Sequence, residues 1–153
     1  MRMANLEKAV NEFTRISKSM GYNINPPYTG KLETYDFGRD ISPEQPDFWK
    51  QYGSFLRISN GSFADGCVFY GMSGGEDDAG LIEFNNALNI PDFKDETMTG
   101  LIVIGGNNTD TFYYDPRTGK WEACDRIGTD RVWESCDSLA ELIETQIKML
   151  ENG

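Results

Sequence analysis

Apolar residues recur at three- and four-residue steps near the N-terminus, at Leu6, Ala9, Val10, Phe13, Ile16 and Met20. That spacing predicts an amphipathic helix over residues 4–20, ended at Gly21. Between 22 and 45, Pro26, Pro27, Gly30, Gly38 and Pro43 break any longer period, so the stretch reads as a surface wrap with room for one short strand. A second helix follows, with Phe48, Tyr52, Phe55 and Leu56 on its inward face. Ser42 before Pro43 and Asp47 after Pro46 are alternative caps for it. It should stop near Ser59, Asn60 and Gly61, because Asn and Gly tolerate a left-handed backbone.

The period then shortens. Residues 67–72, CVFYGM, are rich in strand formers and bounded by Gly66 and the Gly74–Gly75 turn, which predicts a strand. Residues 81–90 support two readings: Leu81, Phe84, Asn85 and Leu88 fit a short helix, and Leu81 with Ile82 could instead finish a strand. Residues 101–104 are apolar on both pleat faces, as in a central strand covered on each side. Residues 111–115 should pair back on it, and a turn over 115–120 with Gly119 at positive φ leads into a returning strand, 121–125. A last short strand is expected around 131–134. Ser138-Leu139-Ala140-Glu141 has capping-box spacing and opens a final helix buried through Leu139, Leu142, Ile143, Ile147 and Leu150. The order of elements predicts a single α+β domain, a mainly antiparallel sheet packed with N-terminal and C-terminal helices.

Composition narrows the picture. The chain has 153 residues, 39% of them apolar, enough for one core without metal or disulfide support. The N-terminal residues lack a signal-peptide pattern, and the longest strongly apolar run, 101–104, is far short of a membrane span. A cytoplasmic protein is expected. Cys67, Cys124 and Cys136 form no C-x-x-C pair and read as small buried residues in a reducing compartment. Residues 1–63 hold eight Lys and Arg against seven Asp and Glu, whereas 64–153 hold six against eighteen, so nearly all of the net charge of −11 lies in the second part. Such a field repels nucleic acid and anionic membranes and steers a basic partner. Solubility alone would also account for it.

Several segments taken together resemble the SUKH superfamily. Residues 46–61, with the pairs Phe55-Leu56 and Asn60-Gly61, are similar to its signature of a helix running into NG. Leu101-Ile102-Val103-Ile104-Gly105 followed by Phe112-Tyr113-Tyr114-Asp115 resembles its pair of apolar strands, Gly119 falls at its hairpin turn, and residues 135–143 resemble its closing element. The resemblance implies an α+β protein-binding scaffold. Bacterial members are typically immunity proteins that neutralise a polymorphic toxin, often a nuclease, and fungal members are linked to cell-wall synthesis and signalling. The long 22–45 connection and the acidic stretch from Gly74 to Asp78 depart from a minimal member, so no partner is carried over.

Candidate chemistry points the same way. The chain has no histidine, which removes the commonest general base and the Ser-His-Asp and Cys-His arrangements. Asp110 with Asp115 is the carboxylate pair on which a hydrolase reading would rest. The glycines at 71–75 and 105–106 lack phosphate-loop spacing, and Asn107 with Asp110 lacks the ligand spacing of a calcium loop. No catalytic residue, metal or cofactor is expected. The expected function is that of an immunity-type binder of a basic protein partner, with a regulatory scaffold in cell-wall synthesis or signalling as the alternative, acting through Glu76, Asp77, Asp78, Asp95 and Glu96 with Trp133 as an exposed aromatic anchor. Phe13, Phe55, Phe69 and Phe112 should instead be core.

Overall fold

The computed structural model describes residues 5–32, 36–38, 40–72, 80–89, 99–126 and 132–152. In chain order these form α1 (Leu6–Ser19), α2 (Pro46–Leu56), β1 (Ser62–Ala64), β2 (Cys67–Phe69), α3 (Leu81–Ala87), β3 (Ile102–Gly106), β4 (Asp110–Asp115), β5 (Lys120–Asp125), β6 (Val132–Cys136) and α4 (Leu139–Asn152). The six strands make one sheet in sequential order, and every pairing is antiparallel. The fold is α+β, with N-terminal and C-terminal helices packed against an antiparallel sheet.

Each helix sits where its apolar stripe demands. In α1 the stripe Ala9, Val10, Phe13 and Ile16 is buried, the Asn5 side chain accepts the Lys8 N–H at 3.1 Å, and Gly21 follows at φ 89°. In α2, Phe48, Tyr52, Phe55 and Leu56 are buried as their spacing requires. Its start differs from expectation. The N-cap is Gln45, which makes no side-chain cap bond; Asp47 lies inside the first turn, and Ser42 accepts the Glu44 N–H instead. Pro46 explains this, since a proline in the first turn has no N–H to cap and a φ already set for helix. Regular α2 geometry ends at Leu56, and the Ser59 N–H still reaches the Phe55 carbonyl. In α4 the Ser138 hydroxyl accepts the Glu141 N–H at 3.2 Å, as the capping spacing implies.

One sheet face carries the main core. Phe69, Ile102, Ile104, Phe112, Tyr114 and Trp121 meet the inward stripes of α1, α2 and α4 there. Phe48 is the hub: its ring lies within 6 Å of those of Phe37, Trp49, Tyr52, Tyr114 and Trp121. The buried indole N–H groups of Trp49 and Trp121 have no partner among the described residues, a loss offset by the large apolar area each ring buries. Phe37 and Ile41, from the connection expected to wrap the surface, are also buried, so that segment contributes to the core; no strand occurs among its described residues.

On the opposite face a smaller buried cluster reaches from β3 across β4 to β5. There Leu101, Val103, Tyr113 and Cys124 pack with Tyr70, Phe84 and Leu88, the last two brought by α3 and its end. Residues 81–87 are therefore helical, the first of the two sequence readings, and β3 is covered on both faces. The predicted strand 67–72 is shorter than expected because β2 ends at Phe69. Beyond it the Asn85 side chain takes the place of a neighbouring strand, accepting the Val103 N–H at 3.1 Å and donating to the Val103 carbonyl at 2.8 Å. β1 was not anticipated. It joins β2 through Asp65 (φ 47°) and Gly66 (φ 85°), a two-residue turn of the kind Asp-Gly favours between right-twisted strands.

Candidate interaction surface

β6 is an edge strand, paired on one side with β5 and with no strand on its other side among the described residues. Its register slips once: Trp121 faces Cys136, Glu122 faces Ser135 and Ala123 faces Glu134, but Cys124 faces Val132. Trp133 is the extra residue of a bulge. Bulges re-aim a side chain and interrupt the row of backbone groups through which an edge would otherwise recruit another strand. Trp133 is 56% exposed and Val132 beside it 45% exposed, the former being the most exposed large apolar side chain described. An indole more than half exposed at a bulge contributes little to this chain's own packing. It does offer a rigid amphipathic surface to a partner.

Next to the bulge, on the same sheet face as α3, the buried Tyr113, half-buried Glu122 and exposed Ser135 stand opposite one another on β4, β5 and β6. The Tyr113 hydroxyl donates to Glu122 Oε1 at 2.8 Å and the Ser135 hydroxyl to Oε2 at 2.6 Å. Burial, reinforced by the adjoining Glu122 carboxylate, pushes the Tyr113 hydroxyl well above its ordinary range, so it stays a donor. The carboxylate is thus held in one orientation, with lone pairs left for an incoming cation or N–H group. Glu134, opposite Ala123, belongs to the other face of the sheet, and Asp137 at the end of the strand is paired with Lys120.

Of the sequence-predicted binding residues, the structure describes Trp133 only. Glu76, Asp77, Asp78, Asp95 and Glu96 lie outside the described residues. Val132 and the Tyr113–Glu122–Ser135 row went unnoticed in the sequence. Their signal was the alternation of β4 and β5, which becomes readable only when the register across three strands is known.

The carboxylate pair is not brought together. Asp110 and Asp115 lie at opposite ends of the six-residue β4, about 17 Å apart at strand rise, against the roughly 5–10 Å that paired-carboxylate hydrolysis uses. Asp115 accepts from the backbone N–H and guanidinium of Arg117 at 2.9 and 3.1 Å. Asn107 Oδ1, weighed as a cation ligand, accepts the N–H groups of Thr109 and Asp110 at 2.9 and 2.7 Å, which organises the turn between β3 and β4. All three cysteines are buried, and burial pushes the Cys67 thiol up to about 12. Among the described residues no group of three or more His, Cys, Asp or Glu could hold a metal ion, and no helix is long and apolar enough to cross a membrane. No family model, curated protein or solved structure matches the chain.

Proposed function

We propose that the chain is a non-catalytic protein-binding domain of the immunity type, which neutralises a basic toxin domain by covering it. One observation carries the reading: an exposed tryptophan on a bulged edge strand, beside a carboxylate already fixed by two hydroxyl donors. A buried aromatic centre with an ordered polar rim is how most protein interfaces divide their energy. The charge supports the sign of the partner, since 64–153 contain eighteen acids against six bases. The segments that resemble the SUKH superfamily fall on α2 and its exit at Asn60-Gly61, on β3 and β4, on the hairpin turn at Gly119 (φ 73°) and on the entry to α4. That correspondence supports a protein-binding scaffold.

The test starts with the reading frame upstream of this gene. Its C-terminal domain is produced in a catalytically silenced form and titrated with the chain. A one-to-one complex is expected, with the active toxin domain inhibited stoichiometrically. Trp133→Ser should weaken binding at least about tenfold without changing the unfolding midpoint. Absence of any complex, or a purified chain that itself turns over a substrate, overturns the reading.

A further inference from the structure

Asn60-Gly61 carries a chemistry that the ending of α2 does not use. An asparagine followed by glycine can modify itself: the glycine backbone nitrogen attacks the asparagine Cγ, the new C–N bond closes a five-membered imide, and the side-chain nitrogen leaves as ammonia. Water then opens the imide at either carbonyl. One product is aspartate; the other is isoaspartate, in which the chain runs through the former side chain. Glycine favours the attack because no side chain shields its nitrogen. The dipeptide occurs twice in the chain, at Asn60-Gly61 and at Asn152-Gly153.

The fold treats the two differently. Asn60 and Gly61 stand where four segments meet: the exit of α2, the connection at Asn25 and Pro26, the start of β1 and the exit of β2. The Asn60 N–H donates to the Pro26 carbonyl at 2.9 Å, and the Asn60 Oδ1 accepts the Met72 N–H at 2.8 Å. The Gly61 carbonyl accepts from the Asn25 amide at 3.1 Å and from the Ser59 hydroxyl at 2.7 Å. Gly71 packs closely on both residues. A Cβ added to it would lie 2.5 Å from the Asn60 carbonyl oxygen and 2.8 Å from Oδ1, and one added to Gly61 would lie 2.7 Å from the Gly71 nitrogen. Imide closure must draw Cγ into a covalent bond with the Gly61 nitrogen, which turns Oδ1 and the Asn60 peptide out of these positions. The four hydrogen bonds and the packing on Gly71 oppose that movement. Asn152, by contrast, is exposed as the last residue of α4.

We infer that Asn60 is a self-modification site gated by local opening of this junction, silent while the junction is closed and reactive once it opens. The gate works in one direction. Isoaspartate at this position adds a methylene to the backbone between α2 and β1 and misplaces the groups that meet Pro26, Asn25 and Met72, so the junction cannot close as before. Each local opening then carries a chance of permanent loss, and the frequency of opening limits the lifetime of the folded chain.

Peptide mapping of the full chain by mass spectrometry, after parallel incubation in mildly alkaline buffer with and without denaturing guanidinium chloride, tests this. Measured relative to Asn152, conversion at Asn60 is expected to be at least about tenfold slower in the folded chain than in the unfolded one. Asn25→Ala removes one donor to the Gly61 carbonyl and should speed conversion of Asn60 in buffer about threefold or more, with no effect in denaturant. Because that variant is also less stable globally, a series of sub-denaturing guanidinium concentrations on the unaltered chain provides the second readout, and conversion of Asn60 should rise before the global transition begins. Equal relative rates in the two conditions, an Asn60 that stays intact in denaturant, a rate that is flat up to the global transition, or an Asn25→Ala chain that converts no faster would each overturn the proposal.

Discussion

A single amide decides how the sheet ends beside β3. Val103 presents both backbone groups where β2 has run out, and Asn85 satisfies both from a helix, its side chain fully buried in doing so. Asn85→Ala would leave a buried N–H and a buried carbonyl without these partners, and is expected to cost roughly 2–4 kcal/mol, read as a lower urea midpoint. Asn85→Asp should be no better, because a carboxylate accepts from the N–H but opposes the carbonyl. At Cys67 the same burial acts on a titrating group. Its thiol is held neutral, with the folded-state value raised from 9.0 to about 12. The folded state therefore holds this proton more tightly than the unfolded chain. The stabilisation is complete below pH 9 and is lost as the pH rises from about 9 toward 12. Denaturation midpoints measured across that window should fall less steeply for Cys67→Ala than for the unaltered chain.

Among the elements, the β4–β5 hairpin and the β2–β3 pairing use glycine for opposite reasons. Gly119 supplies a positive φ of 73° in open space, where an added Cβ meets nothing within 4 Å. Gly119→Ala should cost about 1 kcal/mol, the ordinary strain of a left-handed residue. Gly105 has no such conformational need. A Cβ there would lie 2.0 Å from the Val68 carbonyl oxygen of β2, so Gly105→Ala is expected to cost roughly 3 kcal/mol or more by forcing the β2–β3 pairing apart. Urea titration of both variants would show the difference. The turn role of Gly119 was readable from the Asp-Pro-Arg-Thr-Gly-Lys sequence, whereas the packing role of Gly105 was not, because Val68 is thirty-seven residues away. β1 lies between these cases. Asp65-Gly66 is a strong hairpin signal, but three-residue strands are too short to show a period of two.

For the whole molecule, net charge is divided unevenly along the chain, while exposed apolar side chains occur in both parts. The acidic second part carries the bulged Trp133 edge, and the nearly neutral first part carries the exposed Tyr22 and Phe63. If steering by acidic residues operates as proposed, replacing Glu76, Asp77 and Asp78 by Lys should slow association with the basic partner about tenfold or more at low salt and much less at high salt, measured by stopped-flow. Trp133→Ser should act instead on the dissociation rate, because a buried anchor is released only as the complex opens.

The sequence by itself determined α1, α2 and α4, the central strands, their hairpin and the α+β class, and left α3 open between helix and strand. Each of these is specified by neighbours a few residues apart: the stripes of α1, α2 and α4, the doubly apolar run of β3, and the glycine of the β4–β5 turn. It also determined the imbalance of charge and the absence of imidazole chemistry. Only the tertiary structure decided that Asn85 stands in for a strand, that Phe37 and Ile41 are core, that Asp110 and Asp115 lie far apart, and that Trp133 sits on a bulge. It alone brought Tyr22 and Phe63 together. These features depend on pairing register and on contacts between residues distant in the chain, and such contacts leave no period in the local pattern of apolar and polar positions.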